Sequence, residues 1–247
     1  MSLTMILPEK NRKDYPRVTT VLKNTMSVSK RKSLGYWRAT VGKEEAERIS
    51  EEAKTRGNRF HLQAENFARG LKEHTYISPS IEAFLIENEI QIVLCEQKIY
   101  NDELIYQGRL DMLYWSLKRS CYGVLDWKTS YKPRPPAYFS DHKLQVSAYA
   151  KAIELMYSIT VSEAMIVVAV PKLCENNDPF AVPEELWDFQ TNFQEAKTLK
   201  RSFNRFAKKV EEFRCPAINI IKDKNATITK SKPIIPLICP NDPFSVC

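Results

Sequence analysis

The feature that most constrains the fold is a block of three β-rich segments in the middle of the chain. Residues 90–100, 105–117 and 121–129 are rich in β-branched and aromatic side chains, which is typical of strands. Only short polar breaks, at 101–102 and 118–120, separate these segments. Breaks of that length form hairpin loops, so the sequence predicts three antiparallel strands in a row.

Helical patterns precede this block. The first 40 residues are basic and rich in turn-forming residues. Apolar residues then recur at helical spacing over 42–71, where Gly57 is expected to break or bend the helix. A second, short helix is predicted over 79–88, with Pro79 near its start.

Two more helices and one strand are predicted after the block. The pattern favours a helix over 141–157, a buried strand over 164–170, an irregular segment over 172–186 and a helix over 187–213. In the last helix, apolar residues step by three and four and form one stripe, which we interpret as core rather than as a base-stacking surface. They are Phe189, Phe193, Ala196, Leu199, Phe203, Phe206, Val210 and Phe213. The order of elements predicts an α/β fold with one mixed central sheet.

Three charged residues are expected to meet inside this sheet. Asp126 and Lys128 are two positions apart on one predicted strand, so their side chains share a face. Asp111 lies on the neighbouring strand, and a short hairpin can bring it beside Asp126. The sequence around Asp111 is apolar, so a carboxylate there is costly unless something neutralises it.

A divalent cation is the simplest neutraliser of two converging carboxylates. Oxygen ligands of this kind suit Mg²⁺ or Mn²⁺. With Lys128 beside the metal, the site could polarise a phosphodiester, activate a hydroxide and offset the developing charge. A buried ion pair without chemistry is the alternative for Asp126 and Lys128, and the presence of Asp111 favours the metal site.

The charge balance favours an anionic partner. The chain has 37 Lys and Arg against 30 Asp and Glu, which gives a net charge of +7 and a pI near 9.0. Nucleic acid is the first candidate, although a mildly basic soluble protein would show the same balance. No apolar run approaches the roughly 18 to 20 residues that cross a bilayer, which excludes a transmembrane protein.

Cysteine usage and the first residues indicate the compartment. None of the six cysteines forms a C-x2-C pair, so we expect neither a zinc site nor an iron–sulfur cluster. We expect reduced, mostly buried thiols in a cytosol-like compartment. The start of the chain shows neither the long apolar core of a secretory signal nor the acid-poor character of a transit peptide. We therefore expect a cytoplasmic protein of a bacterium or of a phage-infected host cell.

The motif residues resemble those of a known superfamily. PD-(D/E)XK nucleases of the RecB-like branch carry a Gly-x-x-Asp strand, an Asp-x-Lys strand, a helix with Gln-x-x-x-Tyr, and an upstream helix with a His after Arg-Gly. The matching residues here are Gly108 and Asp111, Asp126 and Lys128, Gln145 and Tyr149, and His61 after Arg56-Gly57. Each motif is weak alone, and the combination is specific.

Within that branch the chain resembles the mitochondrial genome maintenance exonucleases and their phage relatives. The similar stretches lie at 16–22, 126–133 and 144–149, and the similarity runs from about residue 15 to residue 213. The resemblance implies a restriction-endonuclease-like α/β core, with a mixed central sheet flanked by helices and an N-terminal helical part.

The resemblance also assigns roles to individual residues. Lys128 would be the catalytic lysine, and Gln145 and Tyr149 would support the site and the DNA backbone. Glu96 matches a family glutamate on the first strand and is a candidate supporting residue beside the metal. The metal ligands would be His61, Asp111, Asp126 and the backbone carbonyl of Trp127. The candidate DNA contacts are Lys30, Arg31, Arg56, Thr129, Ser130 and Lys132.

Other interpretations remain open for some of these residues. Outside the motif context, His61 would be a packed or surface histidine, and Tyr149 would be a plain core residue. The basic cluster at Lys30 could be solvated surface. His74 and His142 match no motif and are expected on the surface or in loops.

Three parts are expected along the chain: a basic segment over 1–40, a single nuclease domain over 41–213 and an extended, proline-containing tail over 214–247. Inside the nuclease domain we expect a helical part over 41–89, a catalytic core over 90–171 and a C-terminal helix over 187–213.

The function predicted from these features is a DNA exonuclease dependent on Mg²⁺ or Mn²⁺ that prefers single-stranded DNA with a free end. Exonuclease action and the strand preference are implied by the resemblance alone. A structure-selective endonuclease of the same fold would share every catalytic residue. A non-catalytic nucleic-acid-binding module is the third candidate, and the intact Asp111, Asp126 and Lys128 argue against it.

Overall fold

One mixed β-sheet organises the protein. The computed structural model describes residues 11–71, 79–172 and 186–215. Five strands of these ranges lie side by side in chain order. They are β1 (Ile90–Asn101), β2 (Tyr106–Ser116), β3 (Cys121–Thr129), β4 (Val161–Pro171) and β5 (Trp187–Glu195).

Helices cover both faces of this sheet. Those in the described ranges are α1 (Val18–Asn24), α2 (Val28–Val41), α3 (Lys43–Ala68), α4 (Pro79–Glu87), α5 (Phe139–Tyr157) and α6 (Ala196–Arg214). Helices α1, α5 and α6 cover one face, and α3 and α4 cover the other. Helix α2 buries no side chain and packs against α3. The predicted α/β class, with a mixed central sheet flanked by helices, is therefore confirmed.

The strand pairing follows the predicted order. Strand β1 pairs with β2, and β2 pairs with β3, in antiparallel ladders, so the predicted run of three antiparallel strands is confirmed. The chain then crosses through α5 to β4, which runs parallel to β3. Strand β5 returns antiparallel to β4. One parallel pair inside an otherwise antiparallel sheet makes the sheet mixed.

The alternation of side chains along β3 divides the core in two. Leu125 and Trp127 face α3 and α4, where Trp127 packs against Phe60 with ring centroids 5.4 Å apart. Burying an apolar side chain of this size contributes about 1.5–3 kcal/mol. Asp126 and Lys128 alternate with these residues and so point to the face that α5 covers.

The helix predicted over 187–213 is wrong in its first third. That part is strand β5, and the helix begins only at Ala196. Trp187 and Phe189 alternate with polar residues at a period of two, which is the strand pattern. Phe189 and Phe193 are four positions apart, a spacing that both a strand and a helix place on one face. The helical and the strand pattern therefore cannot be distinguished at these two residues. Pairing with β4 makes the segment a strand.

The first 40 residues contain more helix than their composition indicates. Helix α1 buries Val18, Val21 and Leu22 in the core under α5 and α6. At the start of α2, the Ser27 hydroxyl accepts a hydrogen bond from the Lys30 backbone N–H at 3.3 Å. Because α2 buries no side chain, no apolar periodicity indicates it in the sequence.

Of the two alternatives expected at Gly57, the break is wrong, because α3 runs without interruption from Lys43 to Ala68, and the bend stays a prediction. A glycine weakens a helix by only about 1 kcal/mol relative to alanine. Phe60 and Ala64, one and two turns further on, are buried against the sheet and stabilise the helix.

Some predictions concern residues outside the described ranges. Most of the irregular segment over 172–186 lies there, as do His74 and nearly all of the expected tail over 214–247. The division of the chain into three parts stays a prediction. Among the described helices, none combines the length and the apolar character that a membrane span needs.

The described cysteines are free thiols that are half-buried rather than fully buried. They are Cys95, Cys121 and Cys215. Burial raises the pKa of Cys95 and of Cys121, which keeps both thiols protonated near neutral pH.

Candidate active site

The candidate site forms where β2 and β3 separate. The last pair of their ladder in this direction is Met112 with Leu125. The next residues along the two strands are Asp111 and Asp126. Oδ2 of Asp111 accepts a hydrogen bond from the backbone N–H of Trp127 at 2.7 Å. This side-chain oxygen takes the place of a backbone acceptor and holds the Asp111 carboxylate beside β3.

Asp126 is buried with the ammonium group of Lys128 beside it. Only 1% of the residue is exposed, and its Oδ1 accepts a hydrogen bond from Nε2 of Gln145 at 3.0 Å. Nζ of Lys128 lies 2.7 Å from Oδ2 of Asp126. This contact is an ion pair, and Oδ2 of Asp126 accepts no hydrogen bond among the described residues, which leaves it acceptor capacity.

A tyrosine and a glycine fix the Gln145 side chain. Nε2 of Gln145 also donates to the hydroxyl of Tyr149 at 3.0 Å, one turn further along α5. The ring of Tyr149 lies against Gly108 on β2. A Cβ at Gly108 would lie 2.6 Å from Cε1 of Tyr149, closer than such atoms approach. The glycine of the Gly-x-x-Asp motif therefore leaves the space that the tyrosine ring fills.

Three potential metal ligands lie next to one another at the same end of the sheet. Nδ1 of His61 is 3.6 Å from Oδ1 of Asp111 and 3.8 Å from Oε1 of Glu96. The three ligand atoms all lie within 4.8 Å of one another. Helix α3 supplies His61, β1 supplies Glu96 and β2 supplies Asp111, so three elements of the fold build this group.

The backbone of β1 is distorted at this group. Glu96 has a φ of +50°, a left-handed conformation that is uncommon for a residue with a side chain. Its Oε2 lies 2.5 Å from Nε of Arg109, which holds the carboxylate. Backbone strain of this kind persists only where the surroundings enforce it, and it concentrates at functional sites.

Crowded charges shift the pKa values of this site. Burial raises the pKa of Asp111 to about 6; His61 and Lys128 oppose the rise and Asp126 adds to it. Burial lowers the pKa of His61, but the carboxylates of Glu96 and Asp111 outweigh it, and the net pKa is raised. Burial also lowers the pKa of Lys128, and Asp126 and Asp111 again outweigh it, so the lysine stays protonated.

The donor set fits a hard divalent cation. Metal–ligand bonds of about 2.1 Å in an octahedron place neighbouring ligand atoms about 3.0 Å apart. The separations of 3.6 Å and 3.8 Å around His61 are somewhat longer, so the three side chains would draw together slightly around a bound ion. A cation would also offset the repulsion between Asp111 and Asp126 and could use the free acceptor capacity of Asp126 Oδ2.

Known proteins resemble this chain over about two thirds of its length. It is 28% identical over 186 residues to mitochondrial genome maintenance exonuclease 1 of Xenopus tropicalis, covering 68% of this chain and 53% of that protein. The Mus musculus protein of the same name is 31% identical over 175 residues, covering 64% of this chain and 50% of that protein. The chain is related to the mitochondrial genome maintenance exonucleases. The resemblance that the motifs indicate is thereby confirmed.

The relationship to these exonucleases has limits. The chain spans about half the length of the mitochondrial genome maintenance exonucleases that it matches. No protein-family model matches it. A solved alkaline exonuclease, LHK-Exo of Laribacter hongkongensis, aligns at 13% identity over 86% of this chain and 93% of that one, with a TM-score of 0.33. A score at that level supports no conclusion.

The predicted DNA contacts are spread around the site. The Ser130 hydroxyl donates to the Lys132 carbonyl at 2.7 Å, and the Ser130 N–H donates to the Ala169 carbonyl at 3.0 Å, so both donors of Ser130 are used inside the protein. Lys30 forms an ion pair with Asp141 near the start of α5. DNA binding by these residues stays a prediction. Of the remaining four candidates, Arg31 and Lys132 are exposed, Thr129 ends β3, and the guanidinium of Arg56 lies over the ring of Tyr131.

His142 is the clearest residue that the motifs missed, and its expected place on the surface or in a loop is wrong. It lies on α5 with its ring centroid 4.8 Å from that of Tyr138. Burial, followed by the charge of Lys128, lowers its pKa, so the imidazole is neutral at pH 7. The available signal was its place three residues before Gln145, one turn away on the same helix.

Proposed function

We propose that the chain is a metal-dependent DNA exonuclease. The observation that carries the proposal is the convergence of His61, Glu96 and Asp111, whose ligand atoms lie within 4.8 Å of one another. The buried ion pair of Asp126 and Lys128 lies on the adjacent strand. The names of the related proteins, which are called exonucleases, support the same activity.

His61, Glu96 and Asp111 would hold the cation, Mg²⁺ or Mn²⁺, with Asp126 beside them. When bound, the cation supplies Lewis-acid stabilisation of the phosphodiester and a nucleophile generated from water. Glu96 thus moves from a supporting role to the ligand set. Arg109 holds the Glu96 carboxylate in place through their contact of 2.5 Å.

Lys128 supplies a fixed positive charge to the reaction. Its side chain is 19% exposed and is positioned by Asp126, which Gln145 holds in turn. A charge held in a water-poor site before the reaction begins stabilises the negative charge that develops on the phosphate oxygens. Tyr149 keeps Gln145 in place and so positions the lysine indirectly.

The substrate we propose is DNA with a free end, with a preference for single strands. The net charge of +7 supports an anionic polymer, and the strand preference follows from the resemblance. An exonuclease needs an end, whereas a structure-selective endonuclease with the same residues does not. This difference gives the test.

A digestion panel tests the activity. End-labelled linear single strands, circular single strands and blunt duplexes are incubated with Mg²⁺, with Mn²⁺ or with EDTA. We expect the linear single strand to be shortened only with metal and the circle to stay intact. Nicking of the circle would assign an endonuclease, and binding without turnover in Mn²⁺ would assign a non-catalytic module.

The Lys128→Ala variant tests the position of the site. We expect kcat to fall by about 100-fold or more, because a preorganised charge is lost from the reaction centre. Lys118→Ala is the matched control, since Lys118 is exposed in the loop at the other end of β3 and should keep the wild-type rate. Unchanged cleavage by Lys128→Ala would place the active site elsewhere.

A further inference from the structure

A cavity of 590 Å³ lies beside the candidate active site, between α3 and the loop that follows β3. Arg56, Tyr131 and Trp187 are among the residues that line it. Arg56 precedes His61 by five residues on α3, about 7.5 Å along the helix axis. Tyr131 follows Lys128 by three residues. The cavity therefore lies next to the candidate active site and is lined by other residues of the same helix and loop.

Two residues that line this cavity carry buried donors that lack acceptors. Nε and Nη1 of Arg56 and Nε1 of Trp187 are buried and have no hydrogen-bond partner among the described residues. Buried donors without partners are rare because leaving them unpaired is costly. All three atoms can only donate, so the missing partner is a group rich in acceptors. A phosphate is such a group and matches the guanidinium in charge and geometry.

Tyr131 adds an aromatic surface at the same place. The guanidinium carbon of Arg56 lies 3.7 Å from the centroid of the Tyr131 ring. Tyr131 nevertheless keeps 60% of its surface exposed, so Arg56 covers one face and leaves the other open. An exposed aromatic face beside a cation is the usual platform for an unpaired nucleic-acid base.

The acidic residues of the cavity do not repel an anion strongly. Glu52 forms an ion pair with Arg48, and Glu51 lies 3.3 Å from Lys54. These carboxylates are thus neutralised along α3. The charge of Arg56 has no carboxylate partner among the described residues, so the cavity is electropositive at the end near the active site.

We propose that this cavity is a nucleotide-binding subsite of the nuclease. Arg56 and Trp187 bind a phosphate of the substrate strand, and the open face of Tyr131 stacks on the neighbouring unpaired base. The distance along α3 corresponds to about two nucleotide steps at the 3.4 Å rise of a stacked strand. A strand held at this subsite is kept in register with the His61, Glu96 and Asp111 group. The inference rests on the proposed nuclease function and adds a specific binding site to it.

Binding without cleavage tests the subsite. The full chain is titrated in EDTA with a single-stranded oligonucleotide that contains 2-aminopurine, and anisotropy and base fluorescence are recorded. We expect Tyr131→Ala to weaken binding about tenfold and to abolish the quenching that stacking causes. Tyr131→Phe should retain both signals. Tyr157→Ala, which removes another exposed tyrosine at the end of α5, is the control and should behave as wild type.

Replacing Arg56 should change a different quantity in the same titration, the salt dependence of the affinity. Arg56→Gln should reduce the slope of log affinity against log salt by about 0.7, the value for one lost phosphate contact on a single strand. Tyr131→Ala should leave that slope unchanged. Wild-type quenching and affinity in Tyr131→Ala, or an unaltered slope in Arg56→Gln, would overturn the subsite. Cleavage by the wild-type protein in Mg²⁺ is measured separately. A failed binding test with intact cleavage would contradict the subsite alone, whereas absent cleavage would contradict the proposed nuclease function.

Discussion

Two clusters of buried charge lie on opposite faces of the same sheet and differ in how completely they are paired. The carboxylate pocket, defined by Asp111, Asp126 and Lys128, lies on the α5 side. The Glu163 network, defined by Glu163, Arg119 and Tyr114, lies on the α3 and α4 side. Oε1 of Glu163 accepts hydrogen bonds from the Tyr114 hydroxyl and from Nη2 of Arg119, both at 2.7 Å. Its second oxygen accepts from Nε of Arg119.

The two clusters shift pKa values in opposite directions. Burial alone would raise the pKa of Glu163, but Arg119 and Tyr114 outweigh burial, and the net pKa is lowered. In the carboxylate pocket, burial raises the pKa of Asp111 to about 6. The side chain of Asp111 is 11% exposed and that of Glu163 is 3% exposed, so the carboxylate with the raised pKa is not the more deeply buried one. Pairing, not depth, separates a carboxylate that stabilises the fold from one that is left available for chemistry.

Replacing Asp111 should give the largest effect, and it should fall on activity. We expect Asp111→Asn to lower nuclease activity by about 100- to 1,000-fold, since a metal ligand and its charge are lost. The amide oxygen can still accept the Trp127 N–H, and the repulsion with Asp126 disappears. The free energy of unfolding in urea with EDTA should therefore stay level or rise. A marked loss of stability would mean that the pocket serves the fold.

The same change in the Glu163 network should affect stability instead. Glu163→Gln removes a buried charge that Arg119 neutralises, which costs about 2 kcal/mol after allowance for the 39% exposed Arg119 side chain. Activity measured well below the melting temperature should remain at the wild-type level. Urea unfolding and steady-state kinetics on one preparation check both halves. If Glu163→Gln lost nuclease activity and kept its free energy of unfolding, the contrast between the Glu163 network and the carboxylate pocket would be contradicted.

At each cluster a tyrosine ring lies on a glycine, Tyr149 beside the carboxylate pocket and Tyr114 within the Glu163 network, which permits a smaller, matched test. A Cβ at Gly123 would lie 2.2 Å from Cζ of Tyr114, as one at Gly108 would lie 2.6 Å from Tyr149. Gly123→Ala and Gly108→Ala should each cost about 1–3 kcal/mol through overpacking. Only Gly108→Ala should also slow cleavage, by about tenfold, because it displaces the Tyr149 and Gln145 support of Asp126. If the two variants cleaved DNA at the same rate, the support of Asp126 by Tyr149 and Gln145 would be refuted.

The smallest expected effect is a pH dependence of stability in EDTA. The folded pKa of Asp111 is above its ordinary value, so folding binds a proton between the two values, and stability should rise as pH falls from 7 towards 5. The raised pKa of His61 acts in the same direction, because its stabilisation is lost as pH rises. One such group gives a slope of at most about 1.4 kcal/mol per pH unit.

The Glu163 network should reverse the trend at lower pH. Its folded pKa is lowered, so its stabilisation is present above the ordinary pKa and is lost as pH falls through the folded value. Chemical denaturation at a series of pH values should show a maximum in mildly acidic solution. Asp111→Asn should flatten the neutral side of that curve and Glu163→Gln the acidic side. If Asp111→Asn instead flattened the acidic side and Glu163→Gln the neutral side, the directions of the two pKa shifts would be contradicted.

Sequence patterns predict the local parts of this molecule and miss the parts that depend on distant contacts. Strand alternation and a short hairpin were enough to expect Asp111, Asp126 and Lys128 together, because all three lie on adjacent arms. Strand β5 was missed because its aromatic spacing also fits a helix. The position of Glu96 beside His61 and Asp111 could not be predicted, because it depends on a left-handed backbone that no pattern reveals.

The hydrogen bond from the Trp127 N–H to Asp111 gives the protein a built-in spectroscopic reporter. The amide proton of Trp127 is hydrogen-bonded to the Asp111 carboxylate, and a bound ion or a proton would change the charge of that carboxylate. Its NMR chemical shift should therefore follow ion occupancy directly, in the absence of any nucleic acid, and a single isotope-labelled tryptophan resonance would record the state of the candidate site.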